Sequence, residues 1–316
     1  MRRGFLKYLI RRLALAVVLV GVVSSSALLL IQAAPGDHLS TFDVDPAVAA
    51  AERHRLGLDR PAALQYAAWL GRALRLDFGE SVRYRRPVNS LIAERAGNTA
   101  LLGAAALTLA TLVGIPVGVL TGSRRNALTA LARVLSLLLV SVPSLVTSFA
   151  LLLLAARTGW FPVGGFASAA DASWWTTARY LAVPAIALAL PIAASLERLQ
   201  SQAMRDALFN PSIRAALARG CSRSRVVWRH GFRLALPGVL GIYGVIVGSV
   251  LGGSFAVEIV TSWPGLGALM YEGLVARDLF LVAGCAAAGT CFLALGTFAA
   301  DVALAFADPR VEDADA

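Results

Sequence analysis

The sequence predicts an all-α integral membrane protein with six transmembrane helices and both termini on the cytoplasmic side. Three observations predict it. First, of 316 residues 58% are hydrophobic and only 15% charged, against about half and a quarter in soluble domains. Mean hydropathy is +0.69, which excludes an ordinary soluble enzyme, a disordered chain and a disulfide scaffold. Second, uncharged runs recur that are long enough to cross the roughly 30 Å of hydrocarbon in a bilayer. Third, the net charge of +10 is concentrated in alternate connections, as basic residues are in membrane proteins.

The first run, Leu13 to Gly36, follows a basic stretch with Arg2, Arg3, Lys7, Arg11 and Arg12. It is too long for the apolar region of a signal peptide, and Gln32-Ala33-Ala34-Pro35 is a poor cleavage site, so it is expected to be retained. The second is Ala96 to Ser123. The third is Val134 to Ala156, extended backwards through Asn126 to Ala132 across Arg133. The fourth and shortest is Tyr180 to Leu196, the fifth Leu234 to Val257, and the sixth Leu279 to Ala300. Each is expected to be helical, because a segment in lipid must satisfy its own backbone hydrogen bonds. Arg133 either snorkels to the near face or lines a pathway.

Orientation follows from arginine. Arg124 and Arg125 lie between the second and third spans. Arg198, Arg205, Arg214, Arg219, Arg223, Arg225, Arg229 and Arg233 lie between the fourth and fifth. The opposite loops are balanced or acidic. The even-numbered loops and both ends are therefore expected in the cytoplasm. The chain reads as an N-terminus and first span (1–36), an external loop (37–95), a five-helix core (96–306) with a cytoplasmic loop (200–233), and a tail (307–316).

Two loops carry pattern of their own. In the external loop Pro61 is expected to open a helix at its first position. Tyr66, Trp69, Leu70, Ala73 and Leu74 then mark one apolar face, with Gly57 and Gly79 as turn points. This helix lies either over the external mouth or on the membrane interface. In the cytoplasmic loop Asn210 is suited to cap a helix opened by Pro211, and Gly220 to end it in the left-handed conformation. Ser222 is placed to cap a second helix through Val226, Val227 and His230. Ile213, Ala216 and Leu217 share a face, and Ile213 and Leu217, exposed between arginines, suit a groove on a partner protein. A basic surface for anionic lipid is the alternative.

Chemistry is sparse. Lys7 is the only lysine and follows no glycine-rich loop, so the lysine-bearing phosphate loop of nucleotide hydrolases is excluded. Three cysteines, odd in number and with no C-x-x-C pair, give no disulfide framework, and with His38, His54 and His230 far apart in sequence a metal cage is not expected. No catalytic residue and no metal ligand is expected. Glu258, at the outer end of the fifth span, is either a functional intramembrane acid or a solvated interfacial one. Asp301 is the lone acid read as interior to a span. Pro116, Pro143, Pro184 and Pro191 interrupt spans. Pro116, flanked by Gly114 and Gly118, is read as a site of close helix packing.

The chain resembles a permease subunit of a bacterial ATP-binding-cassette importer of the dipeptide, oligopeptide and nickel class. The likeness runs through Ala34-Pro35-Gly36-Asp37, Arg55-Leu56-Gly57-Leu58-Asp59-Arg60-Pro61, Leu76-Asp77-Phe78-Gly79-Glu80-Ser81 and Gly114-Ile115-Pro116-Val117-Gly118. It continues through Val142-Pro143-Ser144, Gly159-Trp160-Phe161-Pro162-Val163, Ala215-Ala216-x-x-x-Gly220, Arg229-His230, Trp263-Pro264-Gly265-Leu266-Gly267, Arg277-Asp278 and Asp308-Pro309-Arg310. The resemblance implies a type I importer core of the MetI-like kind in the bacterial inner membrane. It implies that Ile213, Arg214, Ala215, Ala216, Leu217, Arg219 and Gly220 form a coupling helix docked on an ATPase subunit, with Arg214 standing where the family motif has glutamate. Pro143, Glu258 and Trp263 are candidates for a pathway or gate. The implied partners are a second permease, two ATPase subunits, an extracytoplasmic substrate-binding protein and membrane lipid, with no nucleic acid. ATP and Mg belong to the partners, and no cofactor is expected on this chain. Peptides are the expected cargo, with nickel, glutathione or a peptide antibiotic as alternatives in the same machine. An ion-coupled secondary transporter is the reading from another class.

Overall fold

The computed structural model describes residues 2–33, 51, 54–55, 59, 61–166 and 173–307. The predicted loop residues 37–50, Gly57 and the tail 308–316 lie outside them. The chain divides into two compact units, one built mainly from Ala100–Trp263 and the other from Arg11–Thr99 with Pro264–Phe292. The elements in order are α1 (Arg2–Ala33), α2 (Ala62–Ala73), β1 (Glu80–Ser81), β2 (Arg86–Pro87), α3 (Val88–Ser123), α4 (Ala127–Ser141), α5 (Ser144–Thr158) and α6 (Trp174–Leu208). There follow α7 (Pro211–Ala218), α8 (Arg223–Arg225) running into a π-helical stretch (Val226–Gly231), α9 (Phe232–Leu240), α10 (Tyr243–Thr261), α11 (Leu266–Val275) and α12 (Leu279–Ala307). Among the described residues five helices are long and apolar enough to cross a membrane, and a sixth span results if the bent pair α4–α5 is counted as one.

Three expected spans differ from the structure. The third is not one rod. α4 ends at Ser141, Pro143 caps α5, and the two helices are bent by 106°. Pro143 has no N–H to donate back into α4, and its ring disfavours the helical conformation at Val142, which is extended (φ −93°, ψ 118°). The fifth is broken at Gly241–Ile242, after Pro237. The fourth is not the shortest, since α6 runs for 35 residues. Its charged residues Arg198 and Asp206 are exposed on a helix that continues past the apolar run, while Glu197 is buried.

In the first unit, α3, α6, α9 and α10 enclose the main core, with Leu102, Ala106, Leu188, Ile192, Leu196, Val250 and Trp263 all buried. The expectation of close packing at Pro116 is met by a seam between α3 and α6. A Cβ on Gly114 would stand 2.5 Å from the Ala193 carbonyl oxygen, one on Gly118 2.7 Å from that of Glu197, and one on Gly122 2.6 Å from that of Ser201. Glycine every fourth residue lets the two backbones touch, which is how helices associate without a solvent-driven hydrophobic effect between them. On α4 the polarity is inverted. Thr129 and Ser136 are its buried residues, while Leu128, Leu131, Leu135 and Leu138 are exposed. Such a surface is covered only by lipid or another membrane protein. Arg133 sends its Nε to the Thr129 carbonyl, one turn back toward the helix start, as a snorkelling side chain does.

In the second unit, α2 is packed rather than loose. Trp69 is buried beside Leu28, Val88 and Phe280, and Tyr66 shares a 2.9 Å hydroxyl hydrogen bond with Ser25 of α1. Pro61 stands at the cap, one residue before the helix, and Leu74 is exposed at its end. A two-residue hairpin, not foreseen in the all-helical reading, pairs Glu80 with Pro87 and Ser81 with Arg86. Buried Asp278 holds it, accepting from Ser81 Oγ at 2.6 Å, Arg83 N at 3.1 Å and Leu281 N at 3.2 Å. Tyr84 donates to Glu272. Burial first, and that hydrogen bond second, raise the Tyr84 hydroxyl pKa above its ordinary value. Asp278→Ala is expected to cost about 3 kcal/mol, because three donors lose a charged acceptor. A lowered melting temperature together with faster proteolysis at the hairpin checks it.

Candidate functional site

The segment between α6 and α9 is built by local capping chemistry. α6 stops at Leu208, where the Phe209 N–H turns back to the Asp206 carbonyl at 3.2 Å. Asn210 then takes an extended conformation, and its Oδ1 accepts from Ser212 N at 3.0 Å and Ser212 Oγ at 2.8 Å. This satisfies donors left open at the start of α7, and Pro211, which has none, fills the first position. At the other end the Gly220 N–H reaches Leu217 O at 2.9 Å and the Cys221 N–H reaches Ala216 O at 3.2 Å. The paired bonds form a Schellman motif, with Gly220 left-handed at φ +83°. Nothing lies within 4 Å of a Cβ built on Gly220, so glycine is required there by conformation and not by space. α7 therefore has a defined start, a defined stop and eight residues.

The faces of α7 differ from the expected ones in one respect. Ile213 is 3% exposed and Ala216 2%, and both pack on Val226 with Leu208 and Cys221. Ile213 therefore anchors the helix to its own chain and is not offered to a groove. Leu217 lies on the open side, 47% exposed, with Arg214, Ala215, Ala218 and Arg219 also exposed. Phe209 and Trp228 add exposed aromatic rings at 73% and 43%. Ser222 stands at the start of α8, but its side chain makes no capping hydrogen bond.

The return path is a π-helical turn. The Phe232 N–H reaches Val227 O, five residues back. The turn brings Gly231 against α6, where a Cβ would stand 3.1 Å from Met204 Cε and 3.3 Å from Leu208 Cδ2. α7 is thus carried on a base made from the end of α6 and the π turn. Among the described residues none of Arg214, Arg219, Arg223, Arg225 and Arg229 is held in an ion pair, and all five are exposed. The surface combines exposed Leu217, Phe209 and Trp228 with uncompensated positive charge. It is suited to an acidic partner that offers an apolar slot, which is the helix-in-groove mode of recognition.

The pathway candidates separate. Glu258 and Trp263 are each 0% exposed and share one turn at the end of α10, where the Trp263 N–H donates to Glu258 O at 2.9 Å. Glu258 is thus buried, which corrects the solvated alternative. Trp263 stacks edge-to-face on Phe166 at 5.2 Å, and the Gly165 N–H bonds Thr261 O at 2.8 Å, so two motifs far apart in sequence close the end of α10. Pro143 is exposed at the α4–α5 bend, and its neighbour Ser144 lies beside Gly253, more than a turn before Glu258. Sequence reasoning missed Glu197, a buried acid inside α6 that accepts a hydrogen bond from Thr121. Asp301 is accordingly not the lone acid within a span. Among the described residues no cluster of three or more His, Cys, Asp or Glu side chains is placed to hold a metal ion.

Comparison with known proteins bears on the whole chain. Residues 114–313 match the family described as binding-protein-dependent transport system inner membrane component. Residues 5–102 match the N-terminal region of such membrane components. A putative peptide permease protein of Brucella ovis is 33% identical over 318 residues, covering 97% of this chain and 99% of the relative. The oligopeptide transport system permease protein AppB of Bacillus subtilis is 33% identical over 313 residues, covering 96% and 99%. The oligopeptide transport system permease protein OppB of Mycobacterium bovis is 32% identical over 321 residues, covering 96% and 98%.

Proposed function

The chain belongs to the family of binding-protein-dependent transport system inner membrane components, and from that premise we propose that it is the membrane-spanning subunit of an ATP-driven peptide importer. It is a multi-pass protein of the inner membrane and works with a binding protein. The observation that carries the peptide reading is the end-to-end match to relatives named as peptide and oligopeptide permeases. A second permease completes the translocation path. Two ATPase subunits supply the energy, holding ATP and Mg, while this chain catalyses no reaction and holds no cofactor of its own.

Both termini and α7 face the cytoplasm, in keeping with the arginine-rich connection that contains α7. α7 docks on an ATPase subunit through Arg214, Ala215, Leu217 and Arg219, while Ile213, Ala216 and Gly220 hold its shape. Because Ile213 and Ala216 tie α7 to the end of α6, a displacement of α7 is passed to that helix directly. ATP binding by the partners then biases one of two arrangements of the bundle. Glu258, Trp263 and the Pro143 bend belong to the part that gates or lines the path.

The test is uptake by proteoliposomes holding this chain, its partner permease and the ATPase subunits. Labelled di- and oligopeptides should accumulate only with ATP and the binding protein present, and nickel or glutathione should not compete. Uptake driven by an ion gradient in the absence of ATP would support the secondary-transporter reading instead.

A further inference from the structure

The seam between α3 and α6 changes character along its length. Beside Gly114 it is apolar, against Ala193 and Leu196. One turn on it is polar. Glu197, Gln200 and Ser201 fall at i, i+3 and i+4 of α6, so they share one face, and they are 2%, 0% and 2% exposed. Gly118, Thr121 and Gly122 lie opposite. Gln200 crosses directly over Gly118, its Cβ 2.6 Å and its Cγ 3.0 Å from where a Gly118 Cβ would stand. Thr121, 2% exposed, donates to Glu197 Oε1. Glu197 Oε2, both ends of the Gln200 amide and Ser201 Oγ are buried with no hydrogen-bond partner. Apolar side chains close the layer on both sides, with Ile192, Ala193 and Leu196 before it and Val119, Met204 and Ala207 after it.

Buried polar atoms in folded proteins are satisfied almost without exception, and a buried carboxyl is paired with a charge, coordinates a cation or keeps its proton. Among the described residues no ion pair reaches Glu197. The side chains themselves define what compensates it. They offer oxygen only, from one carboxylate, one amide carbonyl and two hydroxyls, and no nitrogen or sulfur of the kind that selects transition metals. They carry a single formal negative charge. A divalent ion would leave net positive charge in an apolar layer, whereas a monovalent ion balances it.

We propose that Glu197, Gln200, Ser201 and Thr121 form a buried site for a monovalent alkali cation between α3 and α6, with water bridging the Gln200 amide N–H. The ion ties the two helices together about two to three turns before α6 ends at Leu208. It is a structural ion and not a transported one, so it stands apart from the identity of the cargo.

The test uses the intact transporter, purified in choline chloride and exchanged at constant pH and ionic strength into lithium, sodium or potassium chloride. At a saturating concentration at least one alkali ion is expected to raise the apparent melting temperature by about 3 °C over choline. Glu197→Gln is expected to lose that increment. Should Glu197→Gln fail to fold, Ser201→Ala keeps the layer intact and is expected to raise the half-saturating concentration roughly tenfold. An unchanged wild-type melting temperature in all four salts overturns the site without recourse to any variant, as does a full increment in Glu197→Gln. Dependence on pH with none on cation also overturns it, in favour of a carboxyl kept neutral by a proton.

Discussion

Gly118→Leu and Gly114→Leu are expected to remove folded protein from the membrane, with little material surviving solubilisation in assembled form. The first atom of any side chain at these positions falls 2.5–2.7 Å from a backbone oxygen of α6. A side chain could rotate aside, but a helical carbonyl cannot, so the two helices must part. Overpacking a core against movable side chains costs about 1–3 kcal/mol. Prising apart a backbone seam exceeds that, and the cost falls on a protein whose total margin is about 5–15 kcal/mol. Gly118→Ala, with a single added carbon, is expected to lower the melting temperature by several degrees. Gly21→Ala provides the contrast. Nothing lies within 4 Å of a Cβ there, and alanine is the better helix former by about 1 kcal/mol, so it should be neutral or slightly stabilising. Yield in detergent and thermal melting of the four variants check the order.

Leu217→Glu is expected to abolish coupled transport while leaving the protein intact. Leu217 is 47% exposed at the centre of the proposed docking face, and a carboxylate placed there enters a slot that wants an apolar group. Loss of such a buried anchor costs about 2–4 kcal/mol of binding, enough to weaken subunit association roughly 30-fold or more. Uptake should fall accordingly, and ATPase activity of the assembly should lose its dependence on substrate. Ile213→Glu separates docking from folding. Ile213 is 3% exposed against Val226, so its replacement should melt α7 off its base and lower thermal stability, which Leu217→Glu should not. Equal thermal losses in the two variants would contradict the assignment of faces.

The contrast between those two residues also shows where sequence reasoning stops. The ends of α7 were legible because capping is local. Asn210-Pro211 starts the helix and Gly220 stops it whatever surrounds them. Which side of so short a helix faces its own chain is not local. It depends on Val226, which the reversal at Gly220 and the short α8 bring back against Ile213, and a contact made by a chain reversal leaves no mark in composition. The spans were visible through hydropathy, but hydropathy is blind to direction. The run from Asn126 to Ala156 stays apolar through a 106° bend, and Pro143 alone hinted at it. Hydropathy is blind in the opposite sense at α6. Glu197 and Arg198 ended the apolar run on paper, yet the helix continues to Leu208. The helical spacing of Glu197, Gln200, Ser201 and Met204, all buried, was the available signal. The hairpin held by Asp278 was out of reach, because the strands are two residues long and their anchor lies 197 positions from Ser81.

We propose that α7 presents its open face to an ATPase in the cytoplasm. The most direct test places a single cysteine at Leu217 in a chain whose own Cys221, Cys285 and Cys291 are replaced by serine. A membrane-impermeant maleimide should leave intact cells unlabelled and should label inverted vesicles stripped of ATPase subunits, with protection returning when those subunits are added back. Labelling from the outside of intact cells, or labelling of inverted vesicles that the ATPase does not protect, would contradict the account.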